Sequence, residues 1–194
     1  MSFAEYNNLF LFMESRKWTQ IPSEVLKQEI FEKTIRLFGY IPIYGKNADN
    51  EDSVIILVSR ESTISHHKQH FMRMFNKEHS KAKHMIIVSE SLLSASIQNS
   101  PEISSSNVTL ESISATRFRI DIRRAALVPV HRIMTKKESE ELLNFWHCEA
   151  HQLPKIKLDD PQVIWLGAKV GDVIEITRMN EMSGEGKYWR VVVK

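Results

Sequence analysis

Apolar residues follow two different rhythms along this chain, and the switches between them mark out its elements. Over Glu5–Trp18, Tyr6, Leu9, Phe10 and Met13 recur at intervals of three and four, which gathers side chains on one face of a helix. A second helix is expected from Pro22 and Ser23. Its wide stripe comprises Leu26, Ile30 and Leu37, with Phe31, Ile35 and Phe38 beside them, and Gly39 ends it. Tyr40–Asp52 carries Pro42, Gly45, Asn47 and Asn50 and reads as a loop. Val54–Val58 is an unbroken apolar run, the pattern of a strand covered on both faces. Ser65–Glu78 is expected to be helical with Phe71, Met74 and Phe75 inward, and Met85–Val88 is a second buried strand. Ser89–Gln98 reads as a short helix or turn, and Ser100–Asn107 as a polar loop. Val108–Ile113 and Phe118–Ile122 read as strands. In the latter, Phe118, Ile120 and Ile122 face one way, and Arg117, Arg119, Asp121 and Arg123 the other.

From Ala126 onward the signals are tighter. Thr135 and Glu138 form a capping box, in which hydroxyl and carboxylate each satisfy a free N–H at the helix start. Leu142, Leu143 and Trp146 are the expected inner face of that helix. Leu153-Pro154 closes one element and Asp159-Asp160-Pro161 opens another, because Pro at the first helical position sacrifices no internal hydrogen bond. Val163, Ile164 and Leu166 give this short helix its apolar side, and Gly167 stops it in the left-handed conformation. Val170-Gly171-Asp172 turns the chain into the alternating strand Val173–Arg178. Met182–Gly186 reads as a turn and Tyr188–Val193 as the last strand. The expected fold is α+β: an N-terminal α/β domain with a mixed sheet (residues 1–124) and a small C-terminal α+β domain (residues 125–194).

Composition narrows the function classes. The 194 residues suffice for one large or two small domains. Residues 1–124 carry 16 Lys and Arg against 14 Asp and Glu, and residues 125–194 carry 10 against 10. The C-terminal part is therefore a poor candidate for unaided nucleic-acid binding. A single cysteine, Cys148, excludes an internal disulfide and multi-cysteine zinc sites, and it fits a reducing compartment. Leu9–Met13 is too short for a secretory signal and follows Glu5.

Several clusters are candidates for chemistry. His66, His67, His70, His79 and His84 include a pair four residues apart, yet H-x-x-x-H without a following catalytic Glu is unspecific, and a solvated helix face is the favoured reading. Arg60, Lys68, Arg73, Lys77, Lys81 and Lys83 face only Glu61 and Glu78 in the same region; that excess reads equally as phosphate contacts or as solubilising charge. His147-Cys148-x-x-His151 resembles a ligand cluster, but a half-buried thiol at a helix end accounts for it. Asp172, Glu185 and Lys187 mimic the carboxylates and lysine of a metal-dependent nuclease, the alternative function from another class. No Ser or His is tied by sequence to a catalytic triad.

The ordered series Leu127-Val128-Pro129-Val130-His131-Arg132, Gln152–Ile156, Asp160-Pro161, Leu166-Gly167, Gly171–Ile174 and Ser183-Gly184 resembles the C-terminal assembly domain of the fifth subunit shared by eukaryotic nuclear RNA polymerases, which has an archaeal homologue. The family's V-P-K-H has Val130 in place of its Lys. Its T-P-S-A becomes Leu92-Leu93-Ser94-Ala95, and its E-T-S-G-R ends on Glu185. The resemblance implies a non-catalytic subunit of a multisubunit DNA-dependent RNA polymerase, with no cofactor of its own. It implies docking of the C-terminal domain on the largest subunit through Pro129, His131 and Arg132, with Pro161 and Gly167 shaping the surface. It also implies an N-terminal jaw domain beside downstream duplex DNA, which places Arg73, Lys77, Lys81, Lys83, Ser94 and Ala95 near DNA. A nuclear location follows, or a cytoplasmic viral factory or virion for a virus-encoded version.

Overall fold

The computed structural model describes residues 2–20, 26–58, 83–90, 92–93, 108–180 and 184–194. The chain forms two compact units, residues 1–120 and 121–194.

The first unit opens with helix α1, Phe3–Ser15. A capping box that the apolar pattern does not reveal starts it: Glu5 N donates to Ser2 Oγ at 3.3 Å and Ser2 N donates to Glu5 Oε2 at 2.8 Å. Tyr6, Leu9 and Met13 are buried as expected, but Phe12 rather than Phe10 completes the core face, edge-on to Phe118 at 5.0 Å. Helix α2 spans Gln28–Phe38 and ends on Gly39 at φ 75°, whose N–H bonds Ile35 O. Pro22 and Ser23 lie outside the described residues. Phe31 is the one residue of α2 that is buried; Ile30, Leu37 and Phe38 are exposed, so the expected stripe is covered by the described residues only along one edge.

Tyr40–Lys46 is a strand, β2, where the sequence suggested a loop. Its alternation runs through Ile41, Ile43 and Gly45, all buried. The short strand β1 (Thr19–Gln20) pairs with Gly45 and Lys46, and among the described residues no strand pairs with β2 beside Pro42 on that edge, where a missing N–H is tolerated. Gly45 is closely approached: a Cβ there would stand 2.7 Å from the flexible end of Met13, at Cε, and 3.2 Å from Thr19 O. β2 runs antiparallel to β3 (Asp52–Val58), and β3, β4 (His84–Ser89) and β5 (Thr109–Ser114) are parallel, in the order β1-β2-β3-β4-β5. This is the expected mixed sheet. One face of it packs Val54, Ile56, Val58, Met85, Ile87 and Leu93 together. At the sheet margin the Arg16 guanidinium makes two bonds to Glu111, at 2.6 and 2.7 Å, and lies 4.3 Å over the Phe12 ring.

Phe118–Ile122 is not a strand. Ala115–Phe118 and Ile122–Arg124 are 3-10 turns, with Phe118 fully buried and Ile120 exposed. The Phe118 carbonyl accepts from Asn8 Nδ2 at 2.7 Å, and the Arg119 N–H returns to Thr116 O. Local and side-chain bonds thus replace the ladder a strand would need.

The second unit begins at Asp121, four residues before the boundary the sequence suggested. Asp121 accepts bonds from Arg123 N, Nε and Nη2, and this holds the Arg123 guanidinium 4.7 Å over the fully buried Trp165 ring. β6 (Val130–Ile133), β8 (Val173–Asn180) and β9 (Gly184–Val193) are antiparallel neighbours, and β7 (Lys155–Lys157) joins β9 in parallel, giving the order β6-β8-β9-β7. On one face, Ile156, Ile174, Ile176 and Val192 pack with Val163 of helix α4 (Pro161–Leu166) and with Ala168. Trp165, absent from the apolar side read in the sequence, is the largest fully buried side chain of α4. Glu185, expected in a turn, lies in β9 opposite Met179.

Candidate assembly surface

Helix α3, Lys136–Trp146, forms as its capping box dictates: Glu138 N donates to Thr135 Oγ1 at 3.2 Å and Thr135 N to Glu138 Oε2 at 2.7 Å. Its expected inner face is not buried. Leu142 and Leu143 are half-covered, Trp146 is 56% exposed and Phe145 76%. The helix is tied to the sheet by its two ends instead. At the start, Arg132 of β6 bonds both Glu138 oxygens, at 2.8 and 3.0 Å, and reaches Glu175 of β8 at 3.2 Å. At the end, Trp146 stands 6.2 Å from Trp189 of β9. Arg132 and Trp189 both lie opposite Glu175 in register, so α3 covers the face of the sheet turned away from α4. Lys187 Nζ, 3.6 Å from Glu175, extends the charge ladder across three strands.

The partner-binding residues expected from the sequence fall into two groups. Pro129, His131 and Arg132 sit on or beside β6, an edge strand; His131 Nδ1 lies 2.8 Å from Pro129 O, and the neighbouring Val130 is exposed. Pro161 and Gly167 are the two ends of α4. Asp160 Oδ1 accepts from Gln162 N at 2.8 Å, Pro161 occupies the first turn, and Gly167 takes φ 71° and bonds Val163 O and Ile164 O. They shape the side of the sheet opposite α3.

Thr135 N–H, then Arg132, hold the Glu138 carboxyl at a pKa of about 2, well below the ordinary carboxylate range. Arg132 is raised in turn, first by Glu138 and then by Glu175. A carboxyl depressed on folding stabilises the folded state fully above its unfolded value near 4.5, and that contribution fades as the pH falls toward 2. The expected result is a lower melting temperature for Glu138→Gln than for wild type at pH 6, with the two curves converging near pH 2. Parallel curves over that range would contradict the assignment.

Of the DNA-proximal set, Arg73, Lys77, Lys81, Ser94 and Ala95 lie outside the described residues. Lys83 is exposed and its Nζ lies 2.7 Å from Glu51 Oε1. That bond raises Lys83 and lowers Glu51, so much of the lysine charge is already matched. The candidate nuclease residues do not converge. Asp172 accepts from Lys169 N at 2.7 Å just before β8, Glu185 faces Met179 near the far end of the hairpin, and Lys187 pairs with Glu175. The six steps from position 173 to 179 span about 20 Å of strand. Among the described residues no three His, Cys, Asp or Glu side chains gather as a metal site. His147 takes φ 48° as the C-cap of α3, Cys148 N bonds Leu143 O, and His151 pairs with Glu149 at 3.1 Å. The ladder through Arg132, Glu138, Glu175 and Lys187 is not legible in the sequence, because it needs both the register of β6, β8 and β9 and the start of α3 set beside Arg132.

Residues 120–192 match the domain family described as RNA polymerase Rpb5, C-terminal domain. The chain is 46% identical over 80 residues to the DNA-directed RNA polymerase subunit Rpo5 of Thermococcus celer, covering 41% of this chain and 98% of that protein. It is 48% identical over 67 residues to Rpo5 of Archaeoglobus fulgidus, covering 34% of this chain and 88% of that protein. The match to Rpo5 of Nitrosopumilus maritimus is 46% over 67 residues, or 34% of this chain and 81% of that protein.

Proposed function

The chain belongs to the Rpb5 family of DNA-directed RNA polymerase subunits, whose archaeal members are named Rpo5, and from that premise we propose that it is a non-catalytic subunit of a multisubunit DNA-dependent RNA polymerase. The observation that carries the reading is coverage: the match spans 98% of the Thermococcus celer subunit. In this reading the C-terminal unit docks on the largest subunit, with Pro129, His131 and Arg132 near the contact and Pro161 and Gly167 fixing its shape. Balanced charge in residues 125–194 supports a dock that depends on apolar and backbone contacts rather than long-range attraction. Magnesium and nucleotide chemistry belong to other subunits. The compartment is the nucleus, or a viral factory or virion for a virus-encoded polymerase.

The N-terminal unit, in the same reading, forms part of the jaw beside downstream duplex. Contacts from Lys, Arg and backbone N–H groups to phosphate position a duplex without reading its bases. Replacing Lys77, Lys81 and Lys83 by Ala is expected to weaken the polymerase's hold on downstream duplex equally for all sequences, and more visibly at low salt. Glu51 already holds Lys83, which reduces that residue's share. A sequence-dependent loss contradicts this placement. The reading as a whole is tested by purifying the tagged full chain under native conditions. Polymerase large subunits and RNA synthesis are expected to accompany it, and a chain recovered free of them overturns the proposal.

A further inference from the structure

Charge is balanced over residues 125–194 as a whole but not over their sheet. The four strands carry six Lys and Arg against two carboxylates, Glu175 and Glu185. Glu175 takes up Arg132 and Lys187 on the face that α3 covers, and Glu185, opposite Met179, stands on that same face by strand alternation. The other face bears no carboxylate on its described strand residues. Beyond the part packed against α4 it presents Arg178, Tyr188 and Arg190, because Arg178 shares the parity of Ile174 and Ile176, and Tyr188 and Arg190 that of Val192. The Tyr188 ring leans over Gly186: a Cβ there would lie 3.4 Å from its Cε2 and 3.6 Å from its phenol oxygen. The Arg178 guanidinium lies over the ring, 5.5 Å from its centroid, yet Tyr188 is 49% exposed and Arg178 is exposed as well. The contacts of the two arginines are to this ring and to the Lys155 carbonyl, so among the described residues neither cation is matched by a carboxylate.

We infer that Arg178, Tyr188 and Arg190 form a binding row for single-stranded nucleic acid, with a base stacked on the tyrosine–guanidinium pair and phosphates held by the arginines. The inference goes beyond the polymerase reading and does not depend on it. The occupant follows from charge and shape together. Arg178 stands opposite Gly186, two residues before Tyr188, and Arg190 lies two residues after it, so a cation flanks the ring by about 7 Å in each direction along the strand. Unmatched cations on a face without carboxylates select a polyanion. An exposed aromatic between them adds a stacking surface, which every base can use because every base has a π-face. A duplex keeps its base faces inside its own stack and gains only the charges. A carboxylate of an acidic protein gains nothing from the ring, whose face is negative. The overall charge balance of the unit argued against nucleic acid, and it does so for the average of the surface but not for this face.

The test uses the full chain and a fluorescein-labelled oligouridylate, read by fluorescence anisotropy at low salt. Wild type is expected to bind, with an affinity that falls as salt rises. Tyr188→Ala is expected to bind on the order of tenfold more weakly, and Tyr188→Phe to bind like wild type, because the ring face and not the hydroxyl makes the stack. Arg178→Gln is expected to flatten the plot of log affinity against log salt by about 0.7, the share of one phosphate contact on a single strand. Photocrosslinking of a bromouridine oligonucleotide to the wild-type chain, mapped by mass spectrometry, is expected at Tyr188, and this arm does not depend on how any variant folds. Absence of binding overturns the inference. So do crosslinks confined to residues 1–120, or a Tyr188→Ala variant that keeps wild-type affinity. Displacement of the labelled strand by polyglutamate as readily as by unlabelled oligouridylate overturns it too, and assigns the cations to an acidic protein surface.

Discussion

Trp165→Ala is expected to destabilise residues 121–194 by about 3–5 kcal/mol, the usual loss when a fully buried aromatic is cut back to a methyl group. The indole is wholly buried in a six-residue helix, and the Arg123 guanidinium, held by Asp121, stacks on it. Removing it opens a cavity and takes away the surface on which the start of the unit is anchored. For a domain of this size each kcal/mol moves the melting temperature by roughly 4–8 °C, so the shift in near-ultraviolet circular dichroism is large. A change under about 1 kcal/mol would mean that the unit does not depend on this contact. Arg123→Ala removes the cation above the ring and also the guanidinium bonds to Asp121, whose side chain is 7% exposed, so it is expected to carry a substantial loss of its own while leaving the indole packed.

Glu111→Ala is the corresponding change in the N-terminal unit. It strips the two-bond carboxylate from the Arg16 guanidinium, whose side chain is only 6% exposed. Removing one partner of a buried pair costs about 3–5 kcal/mol when the remaining charge loses its main match. Glu111 itself is 30% exposed and water can reach its side of the pair, so the lower end of that range is expected here. Arg16→Met combined with Glu111→Leu is expected to recover most of the loss, since paired apolar residues of similar size often replace a buried ion pair without penalty. Additive losses in the double variant would show that the two residues stabilise the unit separately.

Local chemistry was the most legible part of this fold. Thr135 with Glu138, Asp160 with Pro161, and the left-handed Gly39 and Gly167 all act within four residues of themselves, and each appears where its type and spacing put it. Val54–Val58 was equally plain, because a strand buried on both faces leaves an unbroken apolar run. Tyr40–Lys46 was hidden because Pro42 and Gly45 are turn residues in most contexts. Here both stand in register with β3, Pro42 opposite Ile56 and Gly45 opposite Ser53. Phe118–Ile122 alternates like a strand, but its carbonyl and amide partners are Asn8 and Thr116, which no periodicity reveals.

The candidate surface was legible in the same uneven way. Family residues such as Pro129, His131, Pro161 and Gly167 stood in order along the chain and carried the resemblance. The Arg132 ladder and the Trp146–Trp189 stack are products of register between β6, β8 and β9 and of the path of α3 over them. Trp146 was expected inside because its helical spacing from Leu142 and Leu143 predicts a shared face. The spacing is right, but among the described residues nothing buries that face.

The division of labour between the two units is open to one direct measurement. Residues 121–194 and residues 1–120 are expressed separately with the same tag, and each is purified under native conditions from cells containing the polymerase. The largest polymerase subunit is expected to accompany residues 121–194 and to be absent from residues 1–120. Retention of residues 1–120 alone, with residues 121–194 recovered folded but free, would contradict it.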